Sequence, residues 1–364
     1  MTMHLISRAR TAGLVAGAAL ALLAMPDAAR AGTTPATFPA ARWDTPRPDL
    51  PPACRAVLDH VRRDLAGLPT TAMMVVSHGR PILTLGRTDK VSYVASARKS
   101  LLALLFGNDV ERGTVDLDRT LAQIGIDEDD GLLPIERQAR LRDLMTARSG
   151  VYHAATNAGD DTAFAPPRGS QPPGSYFLYN NWDFNAAGTA FERLTGRTIY
   201  AAFETDIARP LQMQDFSAGA QRKQSRPERS RHPAYHFDLS TRDMARIGLL
   251  MLNDGRWGDR QVEPASWVRQ ITTPTTRSSD MHPDKTAKVG LGFGTMWWLF
   301  EEPDTSPLAG AYLAWGYLGQ YILVVPRRDL VIAHKVAPRL LSGRDVPLSS
   351  FLGLARQIAA TDCG

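Results

Sequence analysis

Hydrophobic positions change rhythm along this chain. From Cys54 the segment C-R-A-V-L-D-H-V-R-R-D-L places Val57, Val61 and Leu65 on one face of a helix. Two short apolar runs follow, T-A-M-M-V-V-S and P-I-L-T-L-G. They are joined by His78-Gly79-Arg80, which together signal a hairpin. From Ser96 to about residue 275 the pattern is mainly helical and broken by long Gly/Pro loops. Its clearest segments are the run after Lys99, R-L-R-D-L-M, residues 185–194, and T-R-D-M-A-R-I-G-L-L-M-L. Strand-like runs then return as F-G-T-M-W-W-L-F, Q-Y-I-L-V-V-P and D-L-V-I-A-H, with Pro326-Arg327-Arg328-Asp329 as a turn, before a last helical pattern at S-F-L-G-L-A-R-Q-I-A-A. This order predicts an α/β (α+β) fold: one antiparallel sheet closed from both ends of the chain, flanked by helices, with an all-helical lobe inserted at roughly residues 107–275. A site belongs at the seam between sheet and lobe, and Ser96 stands at the first crossing of it.

The ends of the chain modify this picture. His4, Arg8 and Arg10 precede G-L-V-A-G-A-A-L-A-L-L-A-M and then Ala29-Arg30-Ala31. A charged start, a short apolar core and an A-x-A site read as a signal peptide over residues 1–31. The expectation is export to the periplasm or beyond, leaving a Pro-rich lead-in over 32–51 and one domain over 52–364. No later stretch reaches eighteen consecutive apolar residues, so no stable membrane association is expected after cleavage. The net charge of +5 is too small to argue for nucleic acid. The basic run R-K-Q-S-R-P-E-R-S-R at 222–231 reads as a solvated loop. No C-x-x-C or H-E-x-x-H spacing occurs, so neither metal nor other cofactor is expected. Cys54 opens the first helix of the domain and Cys363 closes the last. If those helices pack antiparallel the two thiols meet, and an exported compartment permits a disulfide.

Candidate chemistry begins with V-A-S-A-R-K-S-L-L. Ser96 precedes Lys99 by three residues, in a chain with six lysines and thirty-six arginines. Positions i and i+3 share a helix face, so the two side chains can touch. A serine hydroxyl needs an adjacent base to become a nucleophile. The positive end of a helix and burial under L-L-A-L-L-F both disfavour an ammonium, leaving an amine that can accept the proton. The spacing equally suits a helix cap beside a solvated lysine. A second stretch, P-P-G-S-Y-F-L-Y-N-N-W, carries Tyr179 and Asn181: a phenol able to shuttle a proton and an amide able to orient groups, or plain turn chemistry. A third, A-W-G-Y-L-G-Q-Y, brackets a strand start with Gly316 and Gly319, where a backbone N–H can face an oxyanion; it also reads as an edge-strand bulge. No G-x-S-x-G elbow occurs.

Taken in order, these three stretches resemble the penicillin-recognising serine hydrolases, and most of all the class C β-lactamase-like esterases and amidases that include 6-aminohexanoate-dimer hydrolase. The resemblance extends over D-L-M-T-A-R-S-G-V-Y-H and L-S-T-R-D-M-A-R-I-G-L-L and so over nearly all of the domain. It implies a β-lactamase/transpeptidase-like fold and assigns Ser96 as acylated nucleophile, Lys99 as general base and Tyr179 as second proton-transfer group. Asn181 would orient lysine and substrate, and the Ser96 and Tyr317 N–H groups would form the oxyanion hole beside Gly316, Gly319 and Gln320. The chain departs from the β-lactamases and D-Ala-D-Ala peptidases at the third motif. Their K-T-G cation has no counterpart in A-Y-L-A-W-G-Y-L-G, Lys285-Thr286-Ala287 lies elsewhere, and S-D-N is absent. Losing a charge-assisted contact to a carboxylate removes roughly 1.5–3 kcal/mol of binding. A neutral ester or amide is therefore the expected small-molecule substrate, ahead of a β-lactamase, a D-Ala-D-Ala carboxypeptidase or a non-catalytic penicillin-binding-like protein. Tyr152, Trp182 and Trp315 flank the motifs as possible pocket walls or as core; His153 and His236 read as structural.

Overall fold

The computed structural model describes residues 37–337 and 345–363; the segment read as a signal peptide lies outside the described residues. Seven strands form one sheet: β1 (Ala72–Ser77), β2 (Arg80–Gly86), β3 (Leu291–Phe293), β4 (Trp298–Phe300), β5 (Tyr312–Gly316), β6 (Gln320–Val325) and β7 (Leu330–Lys335). Their spatial order is β3-β4-β5-β6-β7-β1-β2, antiparallel throughout. The two ends of the domain meet where β1 pairs with β7, with Met73 opposite His334 and Val75 opposite Ile332. The sheet predicted from the terminal apolar runs is thus present.

Strands β1, β6 and β7 are buried at every position. Their continuous apolar runs reflect cover on both faces. Helix α1 (Pro52–Ala66), α2 (Arg98–Leu105), α3 (Asn181–Thr195), α4 (Thr241–Leu252) and α5 (Leu348–Ala359) are the longer helices. On one face α4 comes so close that a Cβ on Gly248 would sit 2.4 Å from Val331 Cγ1 and 3.1 Å from Ile322 Cγ2. On the other, Phe351 of α5 stacks on Tyr321 at 4.3 Å between ring centroids and packs against His334. Tyr321 and Ile322 are successive residues and point to opposite faces, as a strand requires.

Three expectations need correction. The run F-G-T-M-W-W-L-F is the β3–β4 hairpin and not one strand: Met296 turns left-handed at φ 59° and the Gly294 N–H bonds Trp297 O at 2.9 Å. Both turn residues Met296 and Trp297 are buried, so the turn carries no polar signature. The basic run at 222–231 forms a hairpin, the largely exposed Lys223–Arg226 with the largely buried Ser230–Tyr235, where Arg222 reaches Asp238 and Lys223 reaches Glu192. The middle of the chain is accordingly not all helical. It also carries short strand pairs at Phe177–Leu178 with Met281–His282 and Ser92–Tyr93 with Asp238–Leu239, and its helix α4 belongs to the sheet layer.

Helix α1 packs on α5, and Cys54 and Cys363 are joined in a buried disulfide with Sγ–Sγ 2.04 Å. The closed loop spans 309 positions. Holding so long a loop restricts the unfolded chain. The Cys54→Ser/Cys363→Ser double variant is expected to lose about 2–5 kcal/mol in denaturant unfolding, with no free thiol detectable in the oxidised wild type.

Candidate active site

The Ser96 segment is held before it begins. Ser92–Tyr93 pairs with Asp238–Leu239, and the buried Lys335 of β7 donates from Nζ to Ser92 O at 2.6 Å and to Leu239 O. Burial pushes the Lys335 amine down to about 7. The chain then passes through Ala95 at φ 50°, a left-handed conformation costly for a residue with a Cβ, into a 3₁₀ turn over Ala95–Ala97. That turn leads straight into α2, whose eight residues are all buried between sheet and lobe. Ser100 Oγ bonds Met296 O at 2.7 Å and Ala103 O accepts from Trp267 Nε1 at 2.9 Å, pinning the helix on two sides.

Ser96 remains partly exposed, while Lys99 is 2% exposed. Lys99 Nζ donates to Ser96 Oγ at 2.8 Å. Burial holds the amine well below its ordinary 10.5, the Arg98 guanidinium pushes it the same way, and Asp160 opposes both. A neutral amine in this position can reverse the bond and accept the hydroxyl proton. Tyr179 lies over the pair, its ring centroid 4.7 Å from Lys99 Nζ. Burial holds its phenol above the ordinary value, against a hydrogen bond with Ser96 and the charge of Arg98. The structure thus brings Ser96, Lys99 and Tyr179 together as the sequence implied.

Asn181 takes a different part from the one expected. Its Nδ2 donates to Ala158 O at 3.1 Å and Asn157 O at 3.4 Å, and its backbone N–H bonds Asp160 Oδ2 at 2.8 Å. No hydrogen bond joins it to Lys99 or Ser96. It fastens the loop that carries Asp160, and its own Oδ1 is buried without a partner among the described residues. Only the Nδ2 end of the amide is spent on these backbone carbonyls.

The third motif abuts the nucleophile turn. A Cβ on Gly316 would lie 2.3 Å from Val94 O and 3.1 Å from Ala97 N, so only a glycine lets β5 run this close. Past Gly316 the chain turns through Leu318 and Gly319, at φ 68° and 103°. The backbone N–H groups of Ser96 and Tyr317 meet no protein acceptor among the described residues, as an oxyanion hole requires. The Tyr317 side chain is 70% exposed. Gln320 turns inward instead and donates to Val336 O at 2.6 Å, and Gly319 O accepts from His334; neither offers a side chain to a ligand. No cation stands on β5, and Lys285 pairs with Asp161 at 2.8 Å.

Among the proposed walls, Trp315 is partly exposed and packs on Trp298, which stacks on Tyr179 at 5.6 Å. Trp182 is core: fully buried, with Nε1 bonded to Glu128 Oε1 at 2.6 Å. It is the second residue of α3, and its ring packs edge-on to His232 at 5.4 Å. Tyr152 is half-buried and sits in the field of Asp183 and Tyr176, with no contact to the Ser96 group. His153 is buried 3.8 Å from Asp130 and His236 stacks on Tyr93 at 4.6 Å, as structural histidines do. Sequence reasoning missed Trp298, Arg98, Asp160 and the Asn157–Asn185 pair, in which Asn185 Nδ2 donates to Asn157 Oδ1 at 3.0 Å while Asn185 Oδ1 accepts from Arg98. Arg98 had a visible signal, since it stands beside Lys99 at the head of the apolar run.

A serine touching a buried lysine at the seam of an antiparallel sheet and a lobe defines a β-lactamase/transpeptidase-like fold with a serine-hydrolase site. The Beta-lactamase family model matches residues 57–337, and the chain belongs to that family. Solved structures agree on the fold. A Bacillus anthracis protein provisionally assigned as a 6-aminohexanoate-dimer hydrolase aligns at TM-score 0.61 and 17% identity, over 89% of this chain and 86% of that one. A penicillin-binding protein homologue from Caulobacter crescentus aligns at 0.57 and 17%, over 78% and 91%. A family VIII carboxylesterase aligns at 0.59 and 13%, over 86% and 97%.

The Gly316 contact is testable. Gly316→Ala forces β5 from the nucleophile turn and is expected to cut turnover by about a hundredfold, with the circular dichroism spectrum retained. Unchanged turnover would show that this close approach does not set the site.

Proposed function

We propose that this β-lactamase-family serine hydrolase is an exported enzyme that cleaves a neutral carboxylic ester or amide through an acyl-Ser96 intermediate. The observation that carries the reading is the 2.8 Å contact between Ser96 Oγ and an amine whose burial favours its neutral form. In the acylation step Lys99 takes the Ser96 proton as Oγ attacks the carbonyl carbon. The oxyanion forms against the Ser96 and Tyr317 N–H groups. Tyr179 passes a proton to the leaving oxygen or nitrogen, and water then attacks the acyl-serine with the proton flow reversed.

The absence of a cation on β5 and the partly exposed Trp315 beside Trp298 favour an uncharged, apolar group on the substrate over a carboxylate. The likeness to a carboxylesterase fold is in keeping with this choice. Export rests on the charged, apolar and A-x-A order of residues 1–31, and the disulfide suits an oxidising compartment.

Intact-mass labelling with a fluorophosphonate is expected to add one adduct to wild type and none to Ser96→Ala; an equal adduct on the variant would remove Ser96 as nucleophile. Lys99→Ala and Tyr179→Phe are each expected to lower ester turnover by about a hundredfold or more. Nitrocefin turnover exceeding that of p-nitrophenyl esters would replace this reading with a β-lactamase. The sign of the pH dependence follows from the depressed Lys99 amine. Its proton-accepting form persists below the ordinary 10.5, so kcat/KM holds through neutral pH and falls only as acid protonates Lys99. A rate that climbs steadily to pH 10 would mean an ordinary lysine.

A further inference from the structure

Arg98 stands between nucleophile and base in the sequence, opens α2, and is 1% exposed. Its Nη2 donates to Asn185 Oδ1 at 2.9 Å, and its guanidinium carbon lies 4.2 Å from the Tyr235 ring centroid. Nη1 is buried with no hydrogen-bond partner, and no carboxylate forms an ion pair with Arg98 among the described residues. Buried charges are ordinarily paired, because desolvation without a counter-charge is costly. A guanidinium cannot relieve that cost by shedding its proton, as a lysine would. An apolar side chain would pack here at less cost, so the unpaired charge calls for another explanation.

Its surroundings supply one. The neighbouring amine is Lys99, and a like charge disfavours the ammonium form. The other groups around the pair do not cancel this effect. Tyr235 and Tyr200 are phenols that burial holds neutral. His236 is held down to about 4 by burial and by Arg98 itself, so it is neutral near pH 7. Tyr93 stacks beneath His236, and Lys335 is occupied with Ser92 O and Leu239 O. Asp160 is the one carboxylate acting on Lys99 against Arg98, and it is engaged by the Asn181 N–H and by Thr162. We propose that the buried, unpaired guanidinium of Arg98 acts together with burial to keep the adjacent Lys99 amine free to accept the Ser96 proton. Arg98 is in this sense a positioning residue, acting on charge and not on substrate. The inference rests on Ser96 being the nucleophile.

The experiment follows the rate of fluorophosphonate adduct formation at Ser96 by intact mass from pH 5 to 10. It compares wild type with Arg98→Gln, which keeps a donor for Asn185 and loses the charge, and with Arg98→Met, which loses both. Both variants are expected to move the acid limb of the labelling rate upward by about one pH unit or more, slowing labelling about tenfold on the acid side and recovering at high pH. A limb that stays in place, with a loss equal at every pH, would reduce Arg98 to a packing residue. No adduct on wild type overturns the nucleophile itself and this inference with it, whereas normal adducts with coincident pH curves overturn Arg98 alone. Should neither variant fold, carbon-13 spectra of wild type labelled at lysine Cε decide, with the Lys99 signal assigned by its loss in Lys99→Ala. Lys99 is expected in its amine form at pH 7, and an ammonium there overturns the proposal.

Discussion

The contact between Lys99 Nζ and Ser96 Oγ depends on a lysine being kept out of water. An exposed amine at this spacing would carry a proton and donate to the hydroxyl without activating it. The fold prevents this by burying α2 on all sides, with the sheet on one flank and Trp267 and the lobe on another. A charged amine there would be strongly disfavoured, and neutralising it is the cheaper outcome. The two-layer architecture is in this sense the source of the site's basicity. Neither layer alone encloses the helix.

The sheet has a second role, as the fixed edge against which the nucleophile is placed. Strand β5 ends at Gly316, packed on Val94 O, and β7 reaches the same segment through Lys335 and Ser92 O. Between these two anchors the backbone accepts the left-handed Ala95, whose cost is borne by the surrounding packing. The result is a partly exposed serine whose hydroxyl meets Lys99 Nζ at 2.8 Å. The aromatic column of Trp315, Trp298 and Tyr179 lines the same side.

Much of this was legible in the residues. The β1–β2 hairpin, the sheet closed from both termini, α4 and the terminal helices all follow from short-range apolar rhythm, whereas the meeting of Cys54 with Cys363 depended on the terminal helices packing together, which the tertiary structure supplies. Rhythm failed where a turn is itself buried, as at Met296 and Trp297, and where a charged hairpin resembles a solvated loop, as at 222–231. At the site, residue type was a better guide than position. Trp182 and Asn181 have the chemistry of pocket residues, yet one faces Glu128 in the core and the other ties down a loop. Those outcomes depend on where α3 starts relative to residues more than twenty positions away.

By itself the sequence determined the local relations: Ser96 and Lys99 one helical turn apart, a glycine at the end of β5, and apolar strands with the right period. These need only backbone geometry and nearest neighbours. The tertiary structure decided the rest: that Lys99 is buried, that Arg98 beside it has no counter-ion among the described residues, that Asn181 serves the loop carrying Asp160, and that Gly316 of β5 packs against the turn carrying Ser96. Burial and charge are sums over groups distant in sequence and close in space. Those sums exist only once the sheet has closed over the helix.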